Sequence, residues 1–281
     1  MIPIAELKKD QEFYRSLSSL VEVLKLIAAA QYQSLERRLK TQQAYLSAVQ
    51  DFFSWLDVQN VSHPFLRPQG ELTAVVAITT DSGLLGGLNA QVITQALACW
   101  PQEQMRLIIV GRRGELYVEQ RTLILANFPG ISDDRRLDQA LQLRDYLIEH
   151  LLKGSFNRIM IVHPRALTFT SQRIETVTLV PFASPGGRRA SNIVLDDVIL
   201  ESRFDDIVEY LIYLWMGQKL FDMFGVSRLA EQAARFMHLE NCSRRIRETE
   251  QKLKFQYFRA RHEKIDQNMR ELFAARIIQE H

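Results

Sequence analysis

The stretch DSGLLGGLN at residues 81–89 places three glycines directly after an apolar run, an arrangement found in phosphate-binding loops. A Walker loop needs Gly-Lys followed by Ser or Thr, whereas this stretch continues Gly-Gly-Leu-Asn. It also lacks G-x-G-x-x-G spacing and has no cation to meet a phosphate. Weak anion binding by bare amides is the minor alternative. We therefore predict that the glycines let a strand turn sharply into a helix after Asn89.

Other residues of catalytic type lack the companions that a reaction needs. His163 precedes a proline at a strand end, but no Ser or Cys nucleophile motif accompanies it, so we expect a structural or surface role. Cys99 and Cys242 match no metal spacing and indicate incidental thiols in a reducing compartment. Three aspartate pairs are typical of helix caps or helix starts: Asp133–Asp134, Asp196–Asp197 and Asp205–Asp206. The sequence predicts no catalytic residue, no cofactor and no metal.

A cluster of basic and aromatic residues could in principle bind nucleic acid: Arg244, Arg245, Arg247, Phe255, Tyr257 and Phe258. Glutamates are interleaved with these arginines, and the 35 Lys and Arg residues of the chain face 33 Asp and Glu residues. Alternating signs of this kind are typical of a solvated or partner-facing helix. We therefore expect no nucleic-acid partner.

The N-terminal part, residues 1–58, is predicted to be one long helix. Residues 7–55 contain neither Gly nor Pro, and apolar residues recur at alternating steps of four and three, as in a coiled-coil seam. Two successive steps of four, from Gln31 through Leu35 to Leu39, form a stutter that relaxes the supercoil. The segment VSHPFLRPQG then ends the helix.

The C-terminal part, residues 205–281, is predicted to be a second and longer helix. It contains no proline, and Leu239, Ile246, Leu253 and Ala260 repeat every seven residues. Neither helix can bury its seam alone. We therefore expect the two to pair as an intramolecular antiparallel coiled coil.

Residues 72–183 are predicted to form an inserted Rossmann-like α/β domain. Four short apolar runs, LTAVVAIT, RLIIVG, TLILANF and RIMIVHP, indicate buried parallel strands covered on both faces, and QRIETVTLVPF indicates an edge strand. One helix is expected from Asn89 to Trp100. Another is expected within DDRRLDQALQLRDYLIEHLLKG, capped by Asp133 or Asp134 and ended by Gly154. A linker at 184–204 completes an α/β fold.

The chain shows no targeting or membrane signal. No apolar run approaches the roughly 20 residues of a membrane span, and the start MIPIAELKKDQ lacks a signal-peptide core. We expect a cytoplasmic protein that reaches a membrane only through a partner.

Four motifs, in the same order along the chain, resemble the gamma subunit of F-type ATP synthases. LKLIAAAQ at 24–31 is similar to M-x-M-V-A-A-x-K, the opening loop to D-R-G-L-C-G-G-L-N, and VGRRGELYVEQR to the G-R-K-G motif. The C-terminal helix resembles S-E-x-A-A-R-M-x-A-M-x-x-A followed by L-x-x-x-Y-N-x-A-R-Q-x-x-I-T-x-E-L. The matching residues there are Glu231, Ala233, Ala234, Arg235, Met237, Leu253, Tyr257, Ala260, Arg261, Ile265 and Leu272.

The departures from the family pattern cluster at positions that the resemblance assigns to contacts with the catalytic subunits. Ser82 replaces the usual Arg, Leu85 replaces the usual Cys, and Glu22 falls where the family has a basic residue. Phe258, His262, Asp266 and Asn268 replace Asn, Gln, Thr and Glu. We interpret the chain as a diverged gamma, with an alternative, sodium-translocating F-type complex as the subtype hypothesis.

The resemblance implies a mechanical function without an active site. Such a chain is the central rotor shaft, turning within a ring of alpha and beta subunits and docking with the epsilon subunit on the membrane c-ring. It would lie peripherally at the cytoplasmic face of a bacterial plasma membrane. The contact residues expected from the motifs are Asp81, Ser82, Leu85, Gly86, Gly87, Arg235, Arg261 and His262.

Two other functions remain open at this point. The α/β domain could belong to an enzyme with a nucleotide or phosphate ligand, with the helices as dimerisation arms. The chain could also be a free-standing coiled-coil adaptor. The phosphate-loop chemistry favours the shaft over the enzyme, since the loop lacks the Lys that a Walker loop requires.

Overall fold

The computed structural model describes residues 3–55, 64–68, 70–118, 123–182 and 204–279, with side chains described except at 40–55, 204–205, 207–208 and 274–279. The helices are α1 (Ile4–Trp55), α2 (Leu88–Ala98), α3 (Arg136–Leu152) and α4 (Phe204–Gln279). The strands are β1 (Thr73–Ile78), β2 (Met105–Val110), β3 (Ile124–Phe128), β4 (Arg158–Thr168) and β5 (Ser171–Val180). Short 3₁₀ helices occupy Gln102–Gln104 and Arg112–Tyr117.

The described residues form two compact units, and both long helices contribute to each. The first unit contains α1 up to Ala28 and α4 from Phe236 onward, and the second contains residues 29–235. Both long helices are confirmed as single elements of 52 and 76 residues. Residues 184–203 of the predicted linker lie outside the described residues, and its last residue, Phe204, is the first residue of α4. The predicted domain boundaries stay predictions.

In the first unit, α1 and α4 pair through an apolar seam. Val21, Leu239 and Ile246 are buried at its centre, and four partly buried residues pack against them: Tyr14, Leu17, Leu24 and Cys242. The polar contacts beside the seam join residue 22 to 243 and residue 25 to 240. Residue numbers thus increase along α1 in the direction in which they decrease along α4. The predicted antiparallel pairing is confirmed within this unit.

The carboxylate of Glu22 lies at the centre of the polar contacts between these two helices. Its Oε1 accepts hydrogen bonds from Ser243 Oγ and Arg247 Nη2, each at 2.7 Å, and its Oε2 lies 2.7 Å from Lys25 Nζ. Lys25 Nζ also donates to Glu240 Oε2 at 2.9 Å. The hydrogen bond from Lys25, followed by that from Ser243, lowers the pKa of Glu22 to about 2.

In the second unit, a five-stranded sheet has the order β3-β2-β1-β4-β5. β1 to β4 are parallel, and β5 is an antiparallel edge strand beside β4. All six residues of β1 are buried because both faces of the sheet are covered. Ala74, Val76 and Ile78 pack in one cluster with α3 and α4, and the alternate residues pack in a second cluster with α2. The order 3-2-1-4 is that of a Rossmann sheet, as predicted.

α4 covers one face of this sheet with a run of apolar residues. Those that are buried in the same cluster as the sheet are Ile212, Trp215, Met216, Leu220, Met223 and Phe224. Burial of each such side chain stabilises the fold by about 1.5–3 kcal/mol. Among the described helices, none has the length and apolar content needed to cross a membrane.

The ends of α2 and α3 show which local signals were correct. α2 begins at Leu88, one residue before the predicted start, and ends at Ala98 rather than Trp100. α3 ends as predicted: Gly154 has φ +75°, its N–H donates to Leu151 O, and Ser155 N–H donates to His150 O, which is a Schellman motif. The predicted cap at Asp133 or Asp134 is wrong, because α3 starts at Arg136 without a side-chain cap.

Gly111 and Gly154 form a matched pair for testing backbone strain in the second unit. Gly111 has φ +100°, and a Cβ there would lie 2.5 Å from Thr79 C and Thr80 N, whereas a Cβ on Gly154 meets nothing within 4 Å. We expect Gly111→Ala to lower the free energy of unfolding by about 3 kcal/mol or more, from strain plus backbone overlap. Gly154→Ala adds only left-handed strain, about 1–2 kcal/mol. Urea unfolding measures both, and equal losses would contradict the overlap at Gly111.

The Glu22 contacts predict how the helix pair responds to acid. Because the folded-state pKa is lowered from 4.5 to about 2, the stabilisation is complete above pH 4.5 and is lost as the pH falls towards 2. Glu22→Gln should therefore flatten the fall in melting temperature within this window. Glu12→Gln is the matched control, since its pair with Lys8 is exposed. A carbon NMR titration of the Glu22 carboxyl with its midpoint near 4.5 would contradict the assigned contacts.

Candidate functional site

The loop that follows β1, residues 79–87, is named the β1 loop here. It leaves the carboxyl end of β1, where the strand order reverses and where open α/β sheets bind their ligands. Thr79 Oγ1 donates to Val110 O at 2.8 Å, and Asn89 Nδ2 donates to Thr80 Oγ1 at 3.0 Å. These bonds join the start of the loop to the end of β2 and to the first turn of α2.

Asp81 occupies the backbone amides to which a phosphate could bind at this edge of the sheet. Its Oδ1 accepts from Arg112 N–H at 2.7 Å and its Oδ2 from Gly130 N–H at 3.0 Å. These amides follow β2 and β3, so one carboxylate links the ends of three adjacent strands. The negative charge at the strand ends is supplied by the chain itself.

Ser82 contacts a buried carboxylate on α4. Its Oγ donates to Glu231 Oε1 at 2.9 Å and accepts from Arg235 Nη2 at 2.6 Å. Arg235 Nη2 also donates to Glu231 Oε1 at 2.6 Å, and Arg228 Nη1 donates to Glu231 Oε2 at 2.5 Å. Glu231 is only 3% exposed. The four residues Ser82, Arg228, Glu231 and Arg235 are named the Glu231 hub.

The hub extends to the segment before α3 through Arg228. Arg228 Nε donates to Asp133 Oδ1 at 3.0 Å, which explains why Asp133 does not cap α3. Burial alone would lower the pKa of Arg228, but the carboxylates of Glu231 and Asp133 outweigh it and the pKa is raised. Arg235 Nη1 donates to Gln232 Oε1 at 2.8 Å. Arg228 therefore remains charged, and both arginines are hydrogen-bonded to Glu231.

The rest of the β1 loop turns tightly into α2. Leu85 is buried and packs with Leu88 and Ala234, whereas Leu84 is 49% exposed. Leu84 and Gly86 have positive φ values of 64° and 61°, and Gly87 precedes the first residue of α2. The predicted sharp turn from strand to helix is confirmed.

The structure therefore brings together five of the predicted contact residues, Asp81, Ser82, Leu85, Gly86 and Gly87, with Arg235 of α4. Within the chain, Asp81, Ser82 and Arg235 are hydrogen-bonded and Leu85 is buried. Their role as contacts with other subunits stays a prediction. Sequence analysis missed Arg228, assigned Asp133 only to a helix cap, and placed Glu231 only in a motif. A Glu and an Arg four residues apart on a helix were the available signal.

The other two predicted contact residues, Arg261 and His262, lie on α4 in the first unit and are exposed. Continuing the pairing of residue 22 with 243 and 25 with 240 places Ile4, the first residue of α1, beside Arg261. From there to Phe273, α4 has no partner helix among the described residues of this unit, and its side chains are exposed except that of Glu263.

This part of α4 is amphipathic. At about 100° per residue, one arc of about 120° contains all of its apolar side chains and both predicted contact residues. This surface, named the α4 stripe, consists of Arg261, His262, Ile265, Met269, Leu272 and Phe273. Leu272 is 66% and Phe273 is 61% exposed. The remaining circumference is polar.

His163 is buried on β4, and burial lowers its pKa. It lines a cavity of about 270 Å³ together with Lys219 and Asp222, and burial raises the pKa of Asp222. No Ser, Thr, Cys or Tyr side chain lines this cavity, and the described residues hold no group of three or more His, Cys, Asp or Glu that could bind a metal. The cavity is thus a polar gap beside β4 and β5.

Comparison with known proteins gives one consistent result. The family model described as ATP synthase matches residues 4–276. The ATP synthase gamma chain of Bdellovibrio bacteriovorus is 24% identical, over 97% of this chain and 97% of its own length.

Two solved structures of the Euglena gracilis mitochondrial ATP synthase share the fold at 18% identity. A chain of its rotor matches with a TM-score of 0.65, covering 93% of this chain and 98% of that one. A chain of its OSCP/F1/c-ring assembly matches with a TM-score of 0.68, covering 97% and 93%. With a family model that matches nearly its whole length, this chain belongs to the ATP synthase family.

Proposed function

We propose that the chain is the gamma subunit of an F-type ATP synthase, the central rotor shaft that couples ion flow through the membrane ring to ATP synthesis or hydrolysis. The observation that supports this most is the α4 stripe, an exposed apolar surface on a helix that continues unbroken from the α/β part. Exposed apolar surface of this kind marks an interaction site.

The stripe has the asymmetry that a rotary coupling needs. It covers about a third of the helix circumference, so a rotating shaft presents an apolar face to one surrounding subunit and polar faces to the others. Each beta subunit then meets a different surface in turn, and such differential contacts are what shift a conformational equilibrium. Apolar contacts are non-directional, which lets the stripe move from one subunit to the next.

The names of the relatives support the same assignment. The curated relative is called an ATP synthase gamma chain, and the solved chains lie in a rotor and in an OSCP/F1/c-ring assembly. The proposed partners are the alpha, beta and epsilon subunits and the c-ring, with membrane association only through the complex, at the cytoplasmic face of a bacterial plasma membrane. Sodium coupling stays a hypothesis that belongs to the c-ring, where ion selectivity resides.

An enzyme on the α/β part has less support. The strand-end amides that follow β2 and β3 donate to the Asp81 carboxylate, which leaves them no capacity for a phosphate. The β1 loop contains no Lys or Arg. We therefore propose that the chain is non-catalytic and that the nucleotide sites belong to its partners.

Reconstitution tests the proposed function directly. The isolated chain should hydrolyse no ATP, and it should co-purify with alpha and beta subunits expressed from the same genome. Steady ATP hydrolysis by the alpha and beta subunits should depend on its addition. A colorimetric assay of phosphate release measures the rate of ATP hydrolysis in each preparation. Robust turnover by the purified chain alone would rule out the shaft.

Arg261 tests the α4 stripe. Arg261→Ala should lower ATP hydrolysis by the assembled complex roughly tenfold, since a charge-assisted hydrogen bond to a beta subunit contributes about 1.5 kcal/mol. Arg270→Ala is the matched control, because Arg270 lies on the exposed polar side of the same helix segment. Steady-state assays on both complexes measure the difference. Equal activity of the Arg261→Ala and wild-type complexes would show that Arg261 makes no such contact.

A further inference from the structure

We infer that Glu231 is a positioning residue that transmits torque between the α/β part of the second unit and α4. This inference rests on the proposed function as a shaft. A shaft works only if the part that receives torque does not twist against the helix that delivers it. The Glu231 hub is one of the places where these two parts of the chain are joined by directional bonds. At another, Tyr213 of α4 hydrogen-bonds with Arg144 and Asp145 of α3.

The hub joins three segments that are far apart in sequence. Ser82 belongs to the β1 loop, Asp133 to the segment before α3, and Glu231 to α4. The Glu231 carboxylate accepts from Ser82 and Arg235 on one oxygen and from Arg228 on the other, while Arg228 also donates to Asp133. Removing that one carboxylate therefore weakens the connections from α4 to the β1 loop and to the segment before α3.

The remaining contact between α4 and the sheet has a different character. It consists of apolar side chains between Ile212 and Phe224, which resist separation but are non-directional. Such a surface holds the helix by burial and shape and contains no bonds of fixed direction. Charge-assisted hydrogen bonds have strict geometry, so they oppose rotation of the helix about its own axis.

The hub residues on α4 are placed to oppose rotation. Arg228, Glu231 and Arg235 are spaced three and four residues apart, which puts them within about 60° on one face of the helix. That face is turned towards Ser82 and Asp133. A rotation of α4 about its axis would lengthen the bonds to both residues at once.

Burial makes the carboxylate hard to replace. Glu231 is 3% exposed, so water cannot substitute for it between the two guanidinium groups. Glu231→Gln keeps the size of the side chain and one acceptor oxygen, but it removes the negative charge. Arg228 and Arg235 then repel each other, and the bonds of the hub loosen without loss of the apolar packing.

The test compares ion pumping with ATP hydrolysis in the same vesicles, reconstituted with the whole complex. In the Glu231→Gln complex, ATP-driven pumping should fall at least about threefold more than hydrolysis, the size expected for loss of a coupling contact. Glu149→Gln is the matched control: Glu149 of α3 pairs with Lys153, and both side chains are more than half exposed. Its ratio of pumping to hydrolysis should equal that of the wild type.

The ratio of ion pumping to ATP hydrolysis distinguishes a loss of torque transmission from a loss of folded protein. If Glu231→Gln only reduced the number of assembled complexes, pumping and hydrolysis would fall in parallel and their ratio would not change. An unchanged ratio therefore overturns the inference. If Glu231→Gln does not assemble, Asp133→Asn replaces it, since it removes the second partner of Arg228. Its ratio should fall in the same direction by a smaller amount, and an unchanged ratio again overturns the inference.

The wild-type complex distinguishes this inference from the proposed function. If the wild-type chain restores no activity to the alpha and beta subunits, the function as a shaft is wrong. If the wild-type chain couples normally and both hub variants keep its ratio, only the role of Glu231 is wrong.

Discussion

The structure depends on one constraint: α1 and α4 are long helices that cannot bury their apolar seams alone. In the first unit Val21 meets Leu239 and Ile246, and the polar contacts of Glu22 and Lys25 lie beside this seam. The two helices pair antiparallel, as the contacts of Glu22 with Ser243 and of Lys25 with Glu240 show. In the sequence, the strands of the sheet lie between α1 and α4, and α4 contributes residues to both units.

An apolar seam holds two helices together but does not by itself fix their rotation, and the chain uses the same polar arrangement twice for that purpose. Glu22 in the first unit binds one serine and two cations, and so does Glu231 in the second. The Glu22 side chain is 34% exposed and its pKa is lowered to about 2, whereas Glu231 is almost inaccessible. Exposure makes the first arrangement sensitive to acid and salt. Burial makes the second arrangement less sensitive to salt.

The sequence was sufficient for features that local chemistry determines. The absence of Gly and Pro predicted both long helices, the apolar runs predicted the strands, and Gly154 predicted the end of α3. The cap at Asp133 failed because Arg228, 95 residues away, binds that carboxylate instead. Ser82 and Glu231 are separated by 149 residues, and no periodic pattern encodes such a contact. The sequence therefore predicted the β1 loop and the motif that contains Glu231 as separate features. The hydrogen bonds that join them could be identified only from the structure.

The β1 loop resembles a phosphate-binding loop because both solve the same problem of turning a parallel strand into a helix. The sharp turn needs glycine, and it leaves amides exposed at the strand ends. In this chain Asp81 satisfies the amides of Arg112 and Gly130. A carboxylate that is part of the chain is always present, whereas a phosphate ligand would come and go with its concentration. A shaft whose partners bind nucleotide needs a stiffness that does not change with nucleotide level, and an internal carboxylate provides it.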